Sequence, residues 1–440
     1  MNSLISCFSG IRSAWPLGLM LLLGLSLQAW GEVDEPASLE DTGRAVRTEA
    51  ELIQELSAMG YLAGSGSPRP TQGVSVHDRE RVAPGFNLMT SGHGPVAVLM
   101  GMDGTVLHEW TAEFAQVFPD HPRSERLEDP RRNFWRAAVL LPEGELLVVW
   151  ELFGIFKLDR DSNLVWAVPE PAHHDLQQGE AGEIIHLQAQ RMMIDGIPER
   201  PAIEDFIVTR DANGKELRRI SLSASLKNVN WPKLRKRFWH RADSRGYDLN
   251  KGMTYDPFHT NSLQILSQDD AGRLGPLFKA GDALVSMGTL DTIAIIDLQE
   301  GVTRWSQQGP FGMQHSARLR EDGDIVVFNN FVAATRSSAM AMNPRTRALT
   351  WEFGGSESDP LYSKRSGGVQ PLDNGNLLIV ETDGGRALEV TESGDVVWEF
   401  HTPYRVGEDR SKIAHLYSLK RLEGPLPSWL GSGAERGGGD

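Results

Sequence analysis

The chain has 440 residues, 40% of them hydrophobic and 23% charged, enough for a large buried core and incompatible with a wholly disordered chain. Its formal charge of −15, from 44 Lys plus Arg against 59 Asp plus Glu, argues against a nucleic-acid surface, which needs basic groups to neutralise phosphates. A local cluster of cations can still hold a small anion.

The N-terminus carries the first signal. Arg12 precedes an apolar run from Leu17 to Leu27, and Ala29-Trp30-Gly31 follows with small residues two apart. This reads as a secretory signal peptide over residues 1–31. The run is shorter than the ~20 residues of a spanning helix, although a retained anchor is the alternative. Cleavage would leave no membrane span and place the protein in the periplasm or outside the cell. Cys7, the single cysteine, falls inside this segment. Disulfides, thiolate catalysis and zinc–thiolate sites are therefore not expected in the mature chain.

Residues 32–80 read as a short helical extension and linker. Leu52, Ile53, Leu56, Met59 and Leu62 recur at helical spacing, and Gly64-Ser65-Gly66-Ser67-Pro68 ends the pattern. From there to residue 422 a different unit repeats: a strand, a tight Gly turn, a second strand, and a Trp near its end. Val96–Met100 leads through Asp103-Gly104 to Trp110, Ala137–Leu141 through Glu143-Gly144 to Trp150, and Ile155–Asp159 through Ser162-Asn163 to Trp166. The same pattern leads to Trp305, Trp351 and Trp398. Short Gly turns join antiparallel strands only, so these are hairpins. Two hairpins make a four-stranded sheet, and a repeat of 40 to 50 residues in an all-β chain marks a propeller.

The expected fold is therefore an all-β, six-bladed β-propeller over 81–422. The blades fall near 86–118, 134–172, 173–222, 258–310, 313–356 and 366–402. The basic stretch 223–257, with Trp231 to Arg241, reads as an insertion. Ile413 to Leu419 is a late strand suited to closing the ring. The Gly-rich tail 423–440 is expected to be disordered.

A propeller keeps its chemistry in the central funnel. Three blades open on a histidine in a polar cluster: His173-His174-Asp175, then His259-Thr260-Asn261, then Gln314-His315-Ser316. One such histidine is more often structural, but three at equivalent places would converge on the axis. Asn330, at a strand end, and two cations, Arg336 and Arg386, are candidate companions. No carboxylate stands beside His259 or His315 in the sequence, only Asn261 and Arg318. Histidine mixed with arginine and amides suits an oxyanion better than a divalent metal. No metal or other cofactor is expected. Neutral histidine can act as a nucleophile or shuttle a proton.

These motifs together resemble the bacterial arylsulfotransferases, exported six-bladed propeller enzymes. The resemblance rests on "HHDL" at 173–176, "FHTNS" at 258–262, "QHSAR" at 314–318 with "IVVFNN" at 325–330, and the hairpin at 372–400. It implies transfer of a sulfuryl group from a phenolic sulfate ester to a phenol, by a ping-pong route through a sulfated histidine. The implied partners are small aryl sulfates and phenols, and a homo-oligomer is compatible. The implied catalytic residues are His259 and His315. Arg336 is the implied sulfate-binding arginine, and His174, Asn261, Asn330 and Arg386 are expected substrate contacts from their places in the blades. One position departs from the family. Its nucleophilic histidine belongs later, yet no histidine lies between His315 and His401. A non-catalytic propeller binding an anionic or aromatic ligand, and a metal-dependent propeller hydrolase or lyase, are the alternatives.

Overall fold

Six antiparallel sheets stand around one axis in a computed structural model that describes residues 63–65, 69–121, 133–195, 201–226, 256–333, 335–407 and 409–430. The signal segment, the 49–62 helix, Trp231 to Arg241 and the end of the tail lie outside the described residues. Each sheet runs outward from an inner strand. Blade two comprises Trp135–Leu140, Leu146–Trp150, Gly154–Leu158 and Leu164–Val168. Blades three, four and five start from the inner strands Ala172–Gln178, Thr260–Ile265 and His315–Leu319. Blade six starts from Gly368–Pro371. Neighbouring inner strands touch all the way round, which closes the ring.

Both chain ends make that closure. Blade one takes its inner strand, Leu416–Leu422, from the C-terminal end and its other three, Phe86–Ser91, Val96–Met100 and Val106–Thr111, from the N-terminal end. Gly73–His77, expected as linker, is instead a fifth, outermost strand on blade six. Gly64–Ser65 also departs from the linker expectation by pairing with Lys412–Ala414 in a small separate sheet. Only the first part of the tail is described, and it too is folded. Ser428–Leu430 forms a turn of 3-10 helix, and Trp429 packs edge-on against His108 and Trp110.

The repeated tryptophans are fasteners between blades. The indole N–H of Trp110 in blade one donates to Gly144 O of blade two at 3.1 Å. Trp166 donates to Ala212 O, Trp305 to Pro344 O, Trp351 to Glu392 O and Trp398 to Met102 O, each reaching a turn of the next blade. Blade three has no such tryptophan, and there the Arg218 guanidinium donates to Leu298 O of blade four. Near the axis, side chains stitch one inner strand to the next. Asp175 and Gln177 accept from Leu263 N and Ile265 N, Gln264 from Leu319 N, and Gln370 from Arg421 N. Side-chain bonds thus hold the wheel at hub and rim, over hydrophobic cores between the blades. Among the described residues no helix is long and apolar enough to cross a membrane.

Candidate active site

The inner strands do not run straight. Pairing skips from His173 to Leu176, from Thr260 to Ser262, from His315 to Arg318, from Trp135 to Ala137 and from Leu416 to Ser418. A bulge re-aims the unpaired residue. His174, Asn261, Ser316, Arg136 and Tyr417, the residues that leave the ladder, all line one central cavity of about 560 Å³. On blade six the chain passes through Ser366 and Gly367 at the same level. A Cβ on Gly367 would stand 2.3 Å from the Phe328 ring, so only glycine fits there. His174 and His259 are held at φ of 58° and 48°, a region side chains other than glycine rarely occupy, a strain found mostly at functional sites.

The three histidines expected to converge do meet. Ring centroids are 5.1 Å apart for His174 and His259, 6.3 Å for His259 and His315, and 6.4 Å for His174 and His315. Each ring is braced from behind through Nδ1. His315 Nδ1 donates to Asn330 Oδ1 at 2.8 Å and to Met313 O at 3.0 Å. Its Nε2 is buried with no hydrogen-bond partner. Burial, then the neighbouring His259, hold this imidazole down at about 3, so it is neutral and carries a lone pair. His259 Nδ1 meets Asp256 Oδ2 at 2.6 Å. Burial opposes a proton on His259, but Asp256 outweighs it and raises the ring's pKa. His174 Nδ1 lies 2.8 Å from His173 Nδ1, and His173 Nε2 is 3.4 Å from Asp205 Oδ1. Burial first, then Arg136, push His174 well below its ordinary value.

The other side of the cavity supplies donors. Arg136 donates to Ser366 Oγ at 3.0 Å, lies 4.6 Å above the Tyr417 ring, and sits 3.8 Å from Glu151. Burial pushes the Tyr417 phenol up, so it keeps its proton and can donate. A guanidinium, a phenol and a serine facing imidazoles across the cavity are donors of the kind that can hold a tetrahedral oxyanion.

Of the expected companions, Asn330 acts behind His315, and Asn261 lines the cavity with its amide donating to Gln314 O. Neither predicted cation belongs to this cavity. Arg336 is exposed where its strand begins, beyond the cavity wall. Arg386 is locked among carboxylates, donating to Glu381 at 2.8 Å and also pairing with Asp359 and Glu399. Such surroundings repel an anion. The cations lining the cavity are Arg136, Arg318 and Lys420; Arg318 and Lys420 pair with Asp175, whereas Arg136 stands at the opening of blade two, which no histidine marks in the sequence. The expectation that no carboxylate accompanies His259 is also corrected. Asp256, three residues earlier, turns back onto its ring and its backbone N–H.

The match to known proteins is clear at the family level. The family model described as arylsulfotransferase (ASST) covers residues 137–403. No curated protein matches the chain. Among solved structures, a protein of unknown function from Bacteroides caccae is 14% identical over 77% of this chain and 98% of its own, with a TM-score of 0.48. The β-propeller domain of Cps50 (Swd1) from Myceliophteria thermophila is 11% identical over 81% of this chain and 99% of its own, with a TM-score of 0.42. Virginiamycin B lyase from Staphylococcus aureus is 13% identical over 61% of this chain and 70% of its own, with a TM-score of 0.35. None of these distant likenesses carries chemistry over to this chain. The family model spans five of the six blades and the three histidine openings, and on that match this six-bladed propeller belongs to the arylsulfotransferase family.

Proposed function

We propose that the central cavity transfers a sulfuryl group from an aryl sulfate ester to a phenol, with His315 as the nucleophile. The observation that carries this reading is His315 Nε2, buried, unpartnered and opposite Arg136 in the same cavity. The Nδ1 bonds to Asn330 and Met313 place the ring proton behind the site and the lone pair in front. In the first half-reaction Nε2 attacks sulfur and the S–O bond to the aryl group breaks. The leaving phenolate takes the proton of His259, which Asp256 orients. In the second, the acceptor phenol returns that proton to His259, its oxygen attacks sulfur, and the N–S bond breaks. Arg136, Tyr417 and Ser366 hold the sulfuryl oxygens throughout. The family's later histidine is then not required, because blade five already presents an activated imidazole. Export through residues 1–31 belongs to the same proposal and would put the enzyme where aryl sulfates are met outside the cytoplasm.

The test uses p-nitrophenyl sulfate with and without a phenol acceptor. Phenolate release that accelerates with acceptor, parallel double-reciprocal plots, and a sulfuryl adduct mapped to His315 by mass spectrometry are expected. Binding of aryl sulfate with no turnover would instead make the protein a ligand-binding propeller.

A further inference from the structure

The same three rings also have the geometry of a metal-ligating set. Three blades each place one imidazole so that one ligand atom from each lies within 4.8 Å of the other two. Zinc–nitrogen bonds of about 2.0–2.1 Å at tetrahedral angles put ring centroids about 5 Å apart. The observed 5.1, 6.3 and 6.4 Å are that arrangement, slightly open.

What stands behind the rings strengthens the case. Metal-bound histidine almost always has its second nitrogen held by a carboxylate, an amide or a carbonyl, which fixes the ring and the tautomer. Here Asp256 holds His259, and Asn330 with Met313 O hold His315. His173, whose Nε2 lies 3.4 Å from Asp205 Oδ1, stands behind His174. With Nδ1 of His315 so occupied, Nε2 is the nitrogen that ring has to offer. It is buried without a partner.

Charge agrees with geometry. Glu151, Asp205 and Asp256 line the small space behind His174 and His259, and Arg136 is the guanidinium beside them. Asp256 and Asp205 stand behind His259 and His173, so the space behind the rings favours positive charge there. A fourth ligand position would open to the main cavity, where Asn261 Oδ1 also lacks a partner. The sequence-based objections to a metal were the missing carboxylate and the presumed arginines. Asp256 answers the first; as to the second, Arg336 and Arg386 stand outside the cavity, and Arg136, which remains beside the rings, is paired with Glu151.

We propose that His174, His259 and His315 bind one divalent ion of the zinc class, and that this ion and the sulfuryl group compete for His315 Nε2. The competition clause rests on the transfer reading above, whereas the binding clause does not. Imidazole ligands suit zinc, cobalt, nickel and copper better than magnesium or calcium. The consequence is a site switched off by metal.

Full-length protein freed of metal by chelator is titrated with Co²⁺ and, separately, with Zn²⁺ in a calorimeter. One ion per chain, with the intense visible bands of tetrahedral or five-coordinate cobalt, is the expected result. His174→Ala, His259→Ala and His315→Ala should each abolish those bands, with melting curves confirming that every variant folds. His315→Gln offers a milder version of the same change. No cobalt binding, or bands that survive all three substitutions, would overturn the site. Activity then separates the clauses. Metal-free enzyme that turns over p-nitrophenyl sulfate, with Zn²⁺ at ten times its Kd raising the apparent KM about tenfold by mass action, supports competition. Metal-free enzyme that is inert until Zn²⁺ is added would keep the site but overturn the competition, and the histidine nucleophile with it.

Discussion

Blades three, four and five differ from blades six, one and two at one level of the wheel. The first half-ring places His174, His259 and His315 around the axis; the second places Ser366, Tyr417 and Arg136. Five of the six inner strands carry the bulge and blade six does not, and the histidines take different slots: His174 in the bulge, His315 paired just before it, and His259 ahead of its strand. One half supplies lone pairs and a mobile proton, and the other supplies fixed donors for oxygen. A ring built from repeated sheets can therefore hold a polarised site without any change of fold.

The sharpest way to break this division is to remove one member from each half. His315→Ala is expected to lower kcat/KM for p-nitrophenyl sulfate by at least about a thousandfold, as loss of a nucleophile does. It should also abolish the protein-bound sulfuryl adduct in the mass spectrum. A loss below tenfold would move the nucleophile elsewhere. Arg136→Ala is expected next, at about 10²–10³-fold, chiefly in kcat, because its fork meets charge on the sulfuryl oxygens. Arg136→Lys should recover only part, since an ammonium cannot reproduce the planar fork. Steady-state rates of the two variants, read side by side, show whether the donor half acts on the transition state or only on binding.

Asp256→Asn sharpens the comparison inside the imidazole half. Asp256 touches no substrate in this scheme; it positions His259 and supports its proton. The expected loss is roughly tenfold to a hundredfold, a part of what general acid–base catalysis contributes. It should depend on the leaving group. Phenyl sulfate, which needs a proton on departure, should suffer; p-nitrophenyl sulfate, which does not, should be nearly spared. An equal loss on both esters would leave Asp256 a structural role only.

Much of the wheel was legible in the sequence because its determinants are local. A hairpin needs two β-rich runs and a Gly turn, and both recur in the chain from Val96 to Phe400. The three histidines were legible because each opens its blade close to the inner-strand bulge, although not at one repeat position: His174 is in the bulge, His315 one place before it and His259 two places before it. Arg136 was not, since no histidine marked the opening of its blade. Asp256 was hidden by conformation: its carboxylate reaches His259 only because the chain turns back at Phe258. Arg336 and Arg386 looked like site cations because each lies near a strand end, but a strand has two ends and two faces. Strand Gly73–His77 was missed because Gly73 and His77 flank only two valines, and its partner strand lies more than 300 residues away.

Away from the hub, His93 tests burial rather than catalysis. It stacks on Tyr404 at 3.7 Å, and burial holds it down at about 4. The unfolded chain takes up this proton near pH 6.5 and the folded chain only near pH 4, so stability is intact above pH 6.5 and falls as pH drops from there toward 4. The limit is about 3 kcal/mol at 1.36 kcal/mol per unit. Urea melts of His93→Phe between pH 7 and 4 should show a flatter acid limb than the parent. An unchanged limb would place the acid sensitivity elsewhere.

The smallest effect concerns the rim. Trp351→Phe keeps an aromatic ring beside Phe353 but deletes the N–H that reaches Glu392 O on blade six at 2.9 Å. Loss of one such bond should cost about 1 kcal/mol. At Trp398, fully buried and donating to Met102 O at 2.8 Å, the same change leaves the carbonyl in a drier place and should cost about 1–3 kcal/mol. Neither tryptophan lines the central cavity, so turnover per folded molecule should not change. Urea midpoints for the two variants, compared with their rates, then test whether rim fasteners and hub chemistry are separable. If Trp351→Phe slowed turnover while leaving the midpoint unchanged, the rim would be setting the distances between the histidines, and the six blades would have to be treated as one mechanical unit.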